Sequence, residues 1–273
     1  MGFDKYFLQT YDKTYKGGNR MKKVVVFISH ISEESELAVM LKEEIEKKFV
    51  GFVEVFVSSD GVSISAGAEW LNQITNALNN ASIMIALCSK DSVKRPWINF
   101  EMGAGWMKGI KVIPACHTNL LIDQLPSPTD MLQSLSLSNP DHVKRIFRAI
   151  AESAGADPTN VGLYELDDLC DKISDFEYEY GFLNKAKSLV EQLEKKVDYF
   201  KVFFSEARVG NTYQIMLSES DYVFNKDLLG ELERMDILRV IPEPGQESAL
   251  IFTNTGSGKS YHATLLSNYL KII

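Results

Sequence analysis

The stretch Arg95-Pro96-Trp97-Ile98-Asn99-Phe100-Glu101-Met102-Gly103-Ala104-Gly105-Trp106 concentrates residue types that can do chemistry. Pro96 suits the first position of a helix, where its missing N–H is no loss. Trp97 and Glu101 then lie one turn apart on one face, and Ala104 and Gly105 continue it. Glycine inside a helix costs roughly 1 kcal/mol relative to alanine. Gly103 and Gly105 in one short helix therefore imply that something approaches the backbone closely. The expected picture is a carboxylate beside an aromatic ring, with open space where a ligand can lie. The plain alternative is a solvated glutamate on an amphipathic helix, so the elements that carry this stretch have to decide.

The chain has 273 residues, 45% of them hydrophobic and 24% charged, which is enough for one large domain or two ordinary ones with a buried core. No apolar run approaches the roughly 20 residues of a membrane span. Residues 1–21 read as a flexible lead-in that lacks the apolar centre of a signal peptide, and Met21, after Lys16-Gly17-Gly18-Asn19-Arg20, is a candidate true start. Cys88, Cys116 and Cys170 are odd in number and scattered, so no disulfide framework is implied and a cytoplasmic location is expected. From Asp157 onward there are 12 Lys and Arg against 20 Asp and Glu, whereas the preceding residues balance at 17 each. The acidic excess thus falls in the C-terminal part. That suggests two units and argues against phosphate-backbone binding, which relies on Lys and Arg.

The supporting elements alternate. Lys23–Ser29 is a continuous apolar, β-branched run, the mark of a strand buried on both faces of a parallel sheet. Ser32, Glu33 and Glu34 are helix-start residues, followed at helical spacing by Leu37, Met40, Leu41, Ile45 and Phe49. Val53–Val57 is a second strand, Ser58–Gly67 a polar loop, and Trp70, Ile74, Ala77 and Leu78 mark a second helix. Ser82–Cys88 is a third strand, leading into the helix of the opening stretch. Lys111–Cys116 is a fourth, Ser134–Leu137 a short fifth, and Asn139-Pro140-Asp141 starts a closing helix through Val143, Ile146, Phe147 and Ile150. This order implies right-handed βαβ units and a flavodoxin-like parallel sheet covered by helices. In such sheets ligands bind beyond the carboxyl ends of the strands. The loops Ser29–Ser32, Ser58–Gly67 and Ser89–Arg95 all leave that edge.

Four pieces in this order resemble a Toll/interleukin-1 receptor (TIR) domain over about residues 22–153. They are Phe27-Ile28-Ser29-His30, the loop bracketed by Asp60 and Gly67, the pair Trp70 and Ile74, and Trp97-Ile98-Asn99-Phe100-Glu101, which fits the family's Trp-x-x-x-Glu motif. The family divides into enzymes that cleave NAD⁺ and scaffolds that only self-associate. The resemblance implies a catalytic role for Glu101 and substrate contact for Ser29, His30, Asp60, Gly67, Trp70 and Trp97. The plain alternatives are a core aromatic for Trp97 and Trp70, a loop-capping role for His30, and buried free thiols for Cys88 and Cys116. The loop Val62-Ser63-Ile64-Ser65-Ala66 lacks the proline usual in relatives.

Residues 155–273 carry no motif as specific as these. Leu166, Leu169, Ile173 and Phe176 suggest one helix, and Ala186, Leu189, Leu193, Val197 and Phe200 another, whose seam is packed inside the domain or is a helical dimer contact. A helix at Leu228–Leu238, strands at Arg239–Ile241 and Ala249–Thr253 and a last helix near Tyr261–Leu270 are reminiscent of a winged-helix unit. Thr255-Gly256-Ser257-Gly258-Lys259-Ser260 falls short of a P-loop, because Thr253 stands where the first glycine is required, and reads as a polar turn.

The expectation is therefore a TIR domain at 22–154 and an acidic, mainly helical accessory or oligomerisation domain at 155–273. The implied activity is that of an NAD⁺ nucleosidase of bacterial antiphage type, releasing nicotinamide with ADP-ribose or a cyclic isomer. No metal or cofactor is expected beyond NAD⁺ as substrate. Expected partners are further copies, through the TIR and C-terminal domains, and an effector or sensor protein, with no nucleic acid and no membrane. The alternative is a non-enzymatic TIR interaction module.

Overall fold

The computed structural model describes residues 23–59, 68–156, 165–210, 213–242 and 260–272, and of residues 59 and 68–70 the backbone alone. The chain divides into two compact units, the first ending at Tyr178 and the second running from Glu179 to Ile273.

In the first unit the apolar runs become strands β1 (Val24–His30), β2 (Val53–Ser59), β3 (Ile83–Cys88), β4 (Lys111–Cys116) and β5 (Leu135–Ser136). They form one sheet in the order β2-β1-β3-β4-β5, and every pairing is parallel. β3 is buried along its whole length, as its unbroken Ile-Met-Ile-Ala-Leu-Cys sequence requires of a strand covered on both faces. Helices α1 (Ser35–Lys48), α2 (Ala68–Asn80), α3 (Pro96–Met107) and α4 (Pro140–Ser153) supply the cover. Their inward positions follow the helical period: Leu37, Leu41 and Ile45 in α1, Ile74 and Leu78 in α2, and Val143, Ile146, Phe147 and Ile150 in α4. Asn139 caps α4, its side chain accepting from the N–H of Asp141 at 3.0 Å. Pro96 opens α3, as its φ favours.

Beyond α4 the structure corrects the sequence reading. The two helices expected around Leu166–Phe176 and Ala186–Phe200 begin as one, α5 (Asp167–Lys196), which runs through Gly181. It breaks at Val197, where the backbone is extended, and α6 (Asp198–Arg208) follows. The division between units at Tyr178 thus lies inside α5, later than the boundary at 154/155 expected from sequence. The acidic excess moves with it. Residues 179–273 hold 11 Lys and Arg against 13 Asp and Glu, so the second unit is nearly neutral and the excess sits in 157–178.

The second unit joins α6 and α7 (Glu219–Arg234) to a three-stranded antiparallel sheet of β6 (Gln214–Ser218), β8 (Ser260–Leu265) and β7 (Leu238–Pro242), in that order. The seam Ala186, Leu189, Leu193 and Phe200 lies in this unit's own core, with Phe203, Phe204, Leu217, Leu229 and Tyr269. β6 was not foreseen. The helix expected at Tyr261–Leu270 is instead strand β8 and a short 3-10 turn, Ser267–Lys271. Tyr261 and Leu265 satisfy a helical i, i+4 spacing and a strand's period of two alike, and Ala263, buried between them, decides for the strand. Only α7 separates β6 from β7. The expected strand 249–253 and the glycine-rich turn at 255–259 lie outside the described residues.

Phe204 is fully buried, its ring 5.2 Å from that of Phe203 and 5.7 Å from that of Tyr269. Phe204→Ala is expected to destabilise the second unit by about 3–5 kcal/mol, the usual toll of a large aromatic removed from a core. Urea unfolding of the full chain measures it, and a midpoint equal to wild type would contradict this packing.

Candidate active site

Parallel pairing aligns Ser29 of β1 with Ser58 of β2, so both hydroxyls arise at the carboxyl ends of neighbouring strands. α3 starts beyond the same edge, after β3. Its second turn brings Glu101 between the two serines. Glu101 is fully buried, and its carboxylate accepts hydrogen bonds from Ser29, Ser58 and Trp97. Ser29 Oγ donates to Oε2 at 2.5 Å, Ser58 Oγ to Oε1 at 2.6 Å, and the indole Nε1 of Trp97 to Oε1 at 2.9 Å. The Trp97–Glu101 spacing is what places an indole N–H one helical turn from the carboxylate it serves. The half-buried Trp97 ring stacks on that of Phe100, with centroids 5.3 Å apart. A carboxylate out of water is tolerated only where its lone pairs are met, and three donors from three elements meet them here.

Such a group can stabilise positive charge developing beside it, or accept hydroxyl groups of a ligand that displace the serines. A family model described as "TIR domain" matches residues 26–149. Residues 26–149 are a TIR domain. The match takes in most of β1, all of β2 to β5 and most of α4, and with them Ser29, Ser58, Trp97 and Glu101. No curated protein matched the chain.

Within the TIR domain the predicted residues fall into three groups. Ser29, Trp97 and Glu101 come together in direct contact. His30, next to Ser29 in the chain, is buried, and its Nδ1 donates to the carbonyl of Ile31, which fits a loop-capping role. Asp60 and Gly67 lie outside the described residues, and Trp70 is placed by its backbone alone, on α2.

Two expectations change. The carboxylate does not stand in open space, because serine hydroxyls and an indole occupy its oxygens. The glycines of α3 also serve different ends. A Cβ on Gly105 would sit 3.0 Å from Met84 Sδ and 3.0 Å from Val112 Cγ2, so this glycine lets the helix lie close on the sheet. A Cβ on Gly103 meets nothing within 4 Å. Sequence reading missed Ser58. Its signal, a serine closing an apolar strand as Ser29 does, acquires meaning only from the register that aligns the two.

Among the described residues no group of three or more His, Cys, Asp or Glu is placed to hold a metal ion, and no helix is long and apolar enough to cross a membrane. Cys88 and Cys116 are fully buried and lie in register on β3 and β4. Burial, then the neighbouring Cys116 and Glu34, pushes the Cys88 thiol well above its ordinary range, and burial pushes Cys116 up to about 11. Since the thiolate is the reactive form, both thiols are expected to resist a disulfide reagent near pH 8 in the native protein and to react quickly in urea. Native reactivity equal to that in urea would contradict their burial.

Proposed function

We propose that the protein is an NAD⁺ nucleosidase in which Glu101 is the catalytic carboxylate, releasing nicotinamide and leaving ADP-ribose or a cyclic isomer of it. The observation that carries this reading is the buried carboxylate at the carboxyl edge of the sheet, held by Ser29, Ser58 and Trp97 on a Trp-x-x-x-Glu turn.

The chemistry suits a single acid. Glycosidases acting on neutral sugars need a second carboxyl group to protonate the departing oxygen. In NAD⁺ the leaving group is already a pyridinium. When the bond from ribose C1′ to the ring nitrogen breaks, its electron pair goes to nitrogen and neutral nicotinamide departs without a proton. Positive charge is left on the ribose. Glu101 stabilises that charge, and the ribose hydroxyls take over positions on the carboxylate that Ser29 and Ser58 fill here. Attack on C1′ by water gives ADP-ribose and releases a proton, whereas attack by a nucleophilic atom of the same molecule gives a cyclic product. Proximity within the folded substrate selects between them. In this reading Ser29 and Trp97 stand beside the substrate, and the resemblance to TIR enzymes implies substrate contact for His30, Asp60, Gly67 and Trp70 as well. The setting that fits is a cytoplasmic antiphage enzyme that assembles with further copies and answers to a sensor or effector protein.

One observation favours the alternative, a TIR interaction module without catalysis. Glu101 is fully buried with both oxygens partnered, as a purely structural staple would be. Incubation of concentrated protein with NAD⁺, followed by chromatographic separation of nicotinamide, ADP-ribose and cyclic products, discriminates. Nicotinamide release is expected, and its absence at every protein concentration would favour the scaffold.

A further inference from the structure

A second buried carboxylate lies along the same sheet edge, and the chemistry above makes no use of it. Glu34, at the end of the 3-10 turn Ser32–Glu34, is fully buried. Its Oε2 accepts from the backbone N–H of Ile31 at 3.2 Å. Its Oε1 accepts from Ser89 Oγ at 2.6 Å and from Nε2 of His117 at 3.1 Å. Ile31 directly follows β1, Ser89 follows β3 and His117 follows β4. These strands are neighbours in the sheet, so one side chain fastens three adjacent strand ends.

Two of those attachments lead to Glu101. Ile31 is two residues past Ser29, whose hydroxyl holds Glu101 Oε2. Ser89 opens the loop that delivers α3. That loop is locked by reciprocal bonds, the Ser89 N–H to Ser92 Oγ at 2.7 Å and the Ser92 N–H to Ser89 Oγ at 3.1 Å. The third attachment is steadied from outside. The Nδ1 of His117 lies 2.8 Å from Thr118 Oγ1, and its ring packs 6.0 Å from that of Phe176 on α5. The next residue of α5, Glu177, accepts from the Thr118 N–H at 3.0 Å. Apolar side chains would pin three strand ends without the cost of burying a charged group. What a carboxylate adds is direction, since it sets where each donor must stand.

We propose that Glu34, held by His117, is a positioning residue for Glu101, fixing the Ser29–Ile31 end of β1 and the Ser89–Arg95 loop so that Ser29 and Trp97 meet the catalytic carboxylate. The inference rests on the reading of Glu101 as catalytic. It assigns Glu34 no contact with substrate.

The test uses the full chain and two readouts. One is the indole N–H resonance of Trp97, identified by its loss in Trp97→Phe, because that proton points at Glu101 Oε1. The other is nicotinamide release per folded molecule. In Glu34→Ala the Trp97 resonance is expected to move while that of the exposed Trp106 stays. The kcat is expected to fall on the order of tenfold to a hundredfold with KM unchanged, as for a group displaced by a fraction of an ångström to an ångström. Glu34→Gln, which keeps an acceptor in place, is expected to lie between. If Glu34→Ala does not fold, Ser89→Ala removes one donor and is judged by the same two readouts. A Trp97 resonance that stays in place, or a kcat per folded molecule equal to wild type, overturns the proposal even if the melting temperature drops. Should wild type release no nicotinamide, the nucleosidase reading fails, and the Trp97 resonance alone decides whether Glu34 positions Glu101.

Discussion

Glu101→Gln is expected to slow nicotinamide release by about two to three orders of magnitude while leaving the fold in place. The amide has the shape of the carboxylate, and its oxygen still accepts at one position. At the other its N–H₂ faces a serine hydroxyl, which can rotate to accept instead. Ser29 donates to Oε2, whereas Ser58 and Trp97 both donate to Oε1, so the amide is expected to settle with nitrogen toward Ser29. The toll on stability is one exchanged hydrogen bond, about 1 kcal/mol. The toll on the reaction is larger, because the full negative charge facing the ribose is gone at the moment positive charge develops there. Loss of one such preorganised group slows reactions on the order of 100- to 1,000-fold. Chromatography of the products, with melting curves of both proteins alongside, measures the two effects separately. Release at the wild-type rate by a folded Glu101→Gln protein would remove Glu101 from the chemistry.

A marked loss of stability within the TIR domain is expected at Gly105. Its missing side chain is the gap into which Met84 and Val112 of the sheet fit. Met84 is long and can yield, but Val112 on β4 is β-branched and stiff. Gly105→Val places a branched Cβ where 3.0 Å is already the distance to two neighbours, forcing helix and sheet apart. Overpacking of this kind costs about 1–3 kcal/mol. Because α3 carries Trp97 and Glu101, the displacement should reach the site as well. Gly103→Ala is the internal control. Its Cβ enters open space and the helix gains intrinsic propensity, so it is expected to stabilise by up to about 1 kcal/mol. Denaturant unfolding of the two variants should shift in opposite directions, and a shared direction would contradict the placement of α3 on the sheet.

The two glycines mark the limit of local reading. Both raise the same question in the sequence, why a helix should carry residues that weaken it, and only the neighbours across space answer it. Trp97 and Glu101 were legible because a helical turn is a local object: four residues of separation place two side chains on one face whatever the rest of the chain does. Ser58 was not legible, since its partnership with Ser29 depends on the register of β1 on β2. Glu34, Ser89 and His117 were beyond reach for the same reason. They are 55 and 83 residues apart from one another in the pairs that bond, and no spacing rule relates them.

In the second unit the failures were of period. Tyr261 and Leu265 fit strand and helix equally, and an edge strand as short as β6 offers few alternations to read. Gly181 weakens a helix without ending it when both flanks bury apolar faces, as α5 does with Ile173, Phe176, Leu189 and Leu193.

What the sequence by itself determined was the alternation of strands and helices over residues 23–153, the parallel sheet it implies, and the Trp-x-x-x-Glu turn. Each is written in periodicities of a few residues, which steric repulsion and burial enforce locally. The tertiary structure alone decided which strand ends become neighbours, which hydroxyls meet Glu101, and which glycine is a contact rather than a gap. Those depend on register and on closure of the whole sheet, where packing among distant residues chooses one arrangement from many that the local pattern allows.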